Sequence, residues 1–136
     1  MNKSKSFVHQ ANKKTDRNWD AKKLDPIQMT LLRYGISTIR EKVIHNDLFV
    51  TDNKIRIPDL RDTKYNIIFE HDTFETHGEL SEPNERTKRR NNDYKRTNMN
   101  FIVINEDLCK ELGLDESKLA IYLYYHKLME IKNECK

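Results

Sequence analysis

Three carboxylates fall close together between positions 59 and 72 of this chain. Pro58-Asp59 closes one short apolar run, and Tyr65-Asn66-Ile67-Ile68-Phe69 leads straight into Glu70-His71-Asp72. If both runs are extended, residues two apart share a face, so Glu70 and Asp72 project together and Asp59 lies in line with Ile55 and Ile57. Acids gathered at strand ends repel one another unless a cation sits between them, and hard oxygen donors suit Mg²⁺ or Mn²⁺. The chemistry of such a centre is metal-assisted hydrolysis. The bland alternative for Asp59 is a turn carboxylate that caps backbone amides ahead of Arg61. His71 should point to the opposite face and reads as structural. His77 and Glu79 are accessory candidates: a histidine that orients water or contacts a phosphate, and an outer ligand or proton acceptor.

The charge surrounding these acids suggests what would be hydrolysed. The 136 residues are 35% charged, with a mean hydropathy of −0.92 and a net charge of +3. Residues 1–24 hold seven Lys/Arg, including Lys13 and Lys14, against two Asp, a net of +5 that leaves −2 for the remainder. Within that remainder Arg86, Lys88, Arg89, Arg90, Lys95 and Arg96 form a second basic block. Local positive blocks on a nearly neutral chain suit a polyanion, although a solvated basic tail and helix face would look the same.

The length fits one domain with one core. Cys109 and Cys135 are far apart and match no zinc spacing, so two free thiols in a reducing compartment are expected. No apolar run approaches a membrane span or a signal segment, and the expectation is a soluble, cytoplasmic protein.

The elements that must position the acids follow from periodicity. Residues 1–24 are polar and aperiodic apart from Phe7 and Trp19, and read as a basic arm preceding a domain over 25–136. Asp25-Pro26 suits a helix start, and Met29, Leu32, Ile36 and Ile39 predict one buried stripe through about Val43. Strands are expected over Asp47–Thr51, Lys54–Leu60 and Tyr65–His71, then a highly charged helix over 82–98 opened by Glu82-Pro83. Phe101–Ile104 reads as a buried strand, and Glu106–Leu112 as a short helix stopped by Gly113. Asp115 can cap a last helix to about Glu134, whose aromatic run Leu119–Tyr125 is apolar on more than one face and suits a homodimer contact. The expected fold class is α/β, with a mixed four-stranded sheet and a C-terminal helix.

Motif, spacing and element order over residues 26–105 together resemble the PD-(D/E)xK nuclease superfamily, with its αβββαβ restriction-endonuclease-like core. Pro58-Asp59 stands where that family has its second-strand motif, and Glu70-His71-Asp72 where it has its third-strand motif. The likeness is closest to the single-domain branch related to very-short-patch repair endonucleases. There an E-x-D sequence precedes a histidine, here His77, and Asn92–Arg96 followed by Asn100–Ile104 is similar to the branch's passage from helix to last strand. Two positions depart from the pattern: Asp72 stands in place of the family's Lys, and Thr73 in place of a frequent Gly.

The resemblance implies an Mg²⁺-dependent endodeoxyribonuclease, with Mn²⁺ as substitute. Asp59, Glu70 and Asp72 would be catalytic and metal-binding, joined by the His71 backbone carbonyl. Lys88, Arg89, Arg90 and Arg96, with Lys13 and Lys14, would contact DNA, and one of Lys88, Arg89 or Arg90 would replace the absent lysine. The rival expectation is a catalytically inactive nucleic-acid-binding module on the same fold.

Overall fold

The computed structural model describes residues 24–73, 77–78 and 82–134. Lys13, Lys14 and Glu79 lie outside them, as does the expected arm except for Leu24.

Helix α1 covers residues 24–33 and buries Leu24, Ile27 and Leu31, at i, i+3 and i+7, so Leu24 belongs to the core and not to the arm. The predicted stripe is corrected: Met29 and Leu32 are 52% and 56% exposed. The helix also stops about ten residues earlier than periodicity suggests. Gly35 adopts φ +78°, the Gly35 N–H donates to the Leu32 carbonyl, and the Ile36 N–H donates to the Leu31 carbonyl at 2.9 Å. This is a Schellman stop, with Ile36 and Leu31 both buried beneath it.

The chain then enters strand β1 (Thr38–Arg40) and a two-stranded hairpin, β2 (Ile44–His45) with β3 (Ile55–Arg56). The strand expected over Asp47–Thr51 is a turn instead. The Asn46 side chain accepts the Leu48 N–H, its carbonyl accepts the Phe49 N–H, and Phe49 is fully buried as an anchor. The strand expected over Lys54–Leu60 divides at Pro58, which has no N–H for a ladder, into β3 and β4 (Leu60–Asp62). Asp62 accepts the Lys64 and Tyr65 N–H groups and Asn66 takes φ +58°, so this turn delays β5 to Ile68–Asp72.

Helix α2 (Glu85–Arg96) is capped by Asn84, whose side chain accepts the Thr87 N–H at 2.9 Å, a start three residues beyond the expected one. Strand β6 (Phe101–Asn105), α3 (Glu106–Leu112) and α4 (Glu116–Glu134) match expectation. Gly113 ends α3 at φ +67°, and Asp115 accepts the Lys118 N–H at the start of α4.

The main sheet has the order β1-β4-β5-β6, antiparallel except for β5 and β6, which run parallel across the α2 connection. Among the described residues the fold is therefore α/β, with a mixed four-stranded sheet and four helices, the last of them C-terminal. One sheet face, with Leu60, Phe69, Ile102 and Ile104, packs on α1 and on Leu119, Ala120 and Tyr124 of α4. Phe69 and Tyr124 stack at 5.9 Å. Each such fully buried side chain stabilises the fold by roughly 1.5–3 kcal/mol. The other face receives α2, whose Tyr94 ring lies 5.2 Å from Phe101. Among the described residues no helix is long and apolar enough to cross a membrane.

Candidate functional site

Alternation along β5 divides its side chains between two environments. Phe69 and His71 face α4, where the His71 ring meets Glu116, while Ile68, Glu70 and Asp72 face α2. The His71 side chain thus lies on the face opposite Glu70 and Asp72, as expected. Across the ladder Leu60 pairs with Phe69 and Arg61 with Ile68, so the next rung sets Asp59 beside Glu70. The Asp59 Oδ2 accepts the His71 N–H at 2.7 Å.

Helix α2 closes this face with a polar stripe. Thr87, Arg90 and Tyr94, at i, i+3 and i+7, are all buried. The Arg90 guanidinium donates to both Asp72 oxygens, at 2.7 and 2.8 Å, and its Nη1 lies 3.8 Å from Glu70 Oε1. The Tyr94 hydroxyl donates to Glu70 Oε2 at 2.6 Å. His77 Nδ1 is 2.9 Å from the Thr87 hydroxyl and 3.4 Å from Asp72.

This arrangement alters two expectations. Asp72 spends its carboxylate on Arg90, and among the described residues no group of three or more His, Cys, Asp or Glu side chains is placed to hold a metal ion. The three-acid cluster expected from strand alternation is therefore not assembled, because an arginine from the helix competes for its third member. Arg90 in turn is buried, and so does not belong to the surface block with which it was grouped. Lys88 lies near Glu85 and Glu82, Arg89 is exposed, and Arg96 is half-exposed and paired with Asp93.

Burial pushes Glu70 above the usual carboxylate range, and the nearby Asp72 charge adds to this against the opposing effects of Arg90, Tyr94 and Asp59. Burial also lowers His77, outweighing the attraction of Asp72. For Arg90 burial opposes the charge, but the hydrogen bonds to Asp72 and the charges of Glu70 and Asp72 prevail and raise its pKa.

A second buried cluster sits on the same helix. Asp93 is fully buried and accepts two N–H bonds from Arg56, at 2.9 and 2.7 Å, and the Val50 N–H at 3.1 Å. It ties the hairpin to α2, while Phe49 packs edge-on against Tyr94 at 6.4 Å. Sequence reasoning missed Tyr94 and Asp93. The available signal was the spacing of Thr87, Arg90 and Tyr94, which places a hydroxyl, a guanidinium and a phenol on one helix face.

No protein-family model matches the chain, and no curated protein or solved structure matches it either.

Proposed function

We propose that this protein is a divalent-cation-dependent endonuclease acting on DNA, built on a restriction-endonuclease-like core. One observation carries the reading: Glu70 and Asp72 face a single buried guanidinium, Arg90, and Asp59 lies beside Glu70 on the neighbouring strand. With all three acids ionised the group lacks two positive charges, the charge of one divalent cation. His77 does not supply them, since its environment favours the neutral ring. Without a cation, the upward shift of Glu70 favours its neutral form and lessens the deficit.

The donor set fits a hard cation through Asp59 and Glu70, with the His71 carbonyl as proposed third donor. Mg²⁺ or Mn²⁺ bound there supplies a Lewis acid for a phosphodiester. Arg90 provides the fixed positive charge that the superfamily draws from a lysine, and Asp72 orients its planar fork. Exposed Arg86 and Arg89 on α2 suit phosphate contacts beside the acids. The exposed residues Tyr122, Tyr125 and Met129 of α4 are the surface that the proposed homodimer would use.

The test pairs cation binding with cleavage. Wild type should bind Mn²⁺, as read by electron paramagnetic resonance, and cut plasmid, single-stranded or branched DNA. Glu70→Gln and Asp59→Asn should lose both while remaining folded, with turnover falling by about 10²-fold or more. Cleavage by Glu70→Gln at the wild-type rate would end the assignment. The inactive-module reading is favoured by the closed Asp72–Arg90 pair. DNA binding without turnover under either cation would establish it.

A further inference from the structure

We infer that Tyr94 is the positioning residue of this centre: its hydroxyl fixes the rotation of the Glu70 carboxyl so that the acid can serve a cation. The inference rests on the proposed cation site. A glutamate on a strand has three side-chain torsions, and an acid that must meet Asp59 across the ladder has to be held against that freedom. Glu70 has little solvent to hold it, being almost fully buried. The Tyr94 hydroxyl at 2.6 Å is a directional neutral donor, whereas Arg90 at 3.8 Å is beyond hydrogen-bond reach and contributes charge alone.

Tyr94 is itself well constrained. Its ring is fully buried, edge-on to Phe49 of the hairpin turn and tilted against Phe101 of β6. Three separate elements therefore determine where the hydroxyl points. The neighbouring Asp93 holds Arg56 and Val50, so the helix turn that aims Tyr94 is the one that clamps the hairpin. A tyrosine needed only to fill the core would not have to place its hydroxyl on an acid that faces Asp59.

Tyr94→Phe removes the hydroxyl and keeps the ring. Mn²⁺ affinity measured by electron paramagnetic resonance should fall about 10- to 100-fold, the usual cost of losing a partner behind a metal ligand. At saturating metal kcat should fall while KM for DNA stays unchanged, because no DNA contact is removed. A spectroscopic signature accompanies this. Adding Mg²⁺ to wild type should produce a tyrosine difference band near the aromatic absorption edge, and Tyr94→Phe should lack it although the other five of the six tyrosines remain. Arg56→Gln, which loosens the hairpin clamp and removes no hydrogen bond to Glu70 or Tyr94, should give a smaller loss of Mn²⁺ affinity in the same direction. If wild type binds Mn²⁺ and Tyr94→Phe binds it equally well with unchanged kcat, Tyr94 is structural and the inference fails while the cation site stands. If wild type binds no Mn²⁺, the site itself fails, and this inference with it.

Discussion

Glu70 is held between opposing demands. Its backbone position in the middle of the sheet buries it, and burial favours the protonated acid, yet its neighbours Arg90 and Tyr94 favour the charge. Burial prevails, so the folded-state pKa lies above the unfolded one. A carboxyl shifted in that direction contributes its stability below the unfolded pKa and loses it as pH rises through the folded value. Thermal melts in chelator should therefore show wild type losing ground to Glu70→Gln from about pH 4.5 upward, at up to roughly 1.4 kcal/mol per pH unit until Glu70 is fully ionised. Saturating Mg²⁺ should cancel that loss by stabilising the ionised pair. A wild-type minus Glu70→Gln difference that is flat with pH would mean that Glu70 titrates normally, and that the buried acid is solvated in solution. Asp72 illustrates the same competition resolved differently. Its bidentate bond to Arg90 satisfies both oxygens, so it behaves as an anchor for the guanidinium and not as a third ligand.

At the scale of elements, the sequence was legible wherever local chemistry acted alone. Strand β6, helix α3, the Gly113 stop and the Asp115 cap all follow from short-range signals, and the structure places them as read. It was misread where a local stop competed with a longer pattern. Ile36 and Ile39 continue a helical spacing, but Gly35 ends the helix, so the same residues close a cap and enter an edge strand. The hairpin was misread for a different reason. It is tied to α2 through Asp93, 37 residues from Arg56, and no window of periodicity spans that distance. For the site, the strand acids could be paired by alternation, but α2 looked like a solvated helix because its buried stripe is polar. The Arg56–Asp93 latch can be tested by Asp93→Ala, which strands a mostly buried guanidinium and orphans the Val50 N–H. The expected cost is about 3 kcal/mol in urea denaturation, with early hydrogen exchange at residues 44–56. A cost below about 1 kcal/mol would show that the hairpin is held by Phe49 packing instead.

Across the whole molecule, the two halves of the charge distribution have different tasks under the proposed function. The domain carries the acids that must approach a phosphodiester, and its net charge of −2 over residues 25–136 repels a polyanion until a cation is bound. Exposed Arg86, Arg89 and Lys95, with half-exposed Arg96, offset this locally on α2. Residues 1–23 hold the compensating excess, seven Lys/Arg against two Asp. Long-range attraction to DNA should therefore come from residues 1–23, and discrimination at the reacting bond from the domain. A chain lacking residues 1–23 retains Leu24, Asp59, Glu70, Asp72, Arg90 and Tyr94. Each neutralised phosphate contributes about 0.9 to the slope of log affinity against log salt, so if half of those basic residues engage DNA the slope should flatten by about 3. Affinity should fall on all sequences alike, whereas kcat at saturating DNA and Mg²⁺ should hold. Arg89→Ala should flatten the slope by about 1, since it removes a single phosphate contact. An unchanged slope after the deletion would assign residues 1–23 to a partner other than DNA. A fall in kcat at saturation would mean that they reach the reacting phosphate and do more than recruit the substrate.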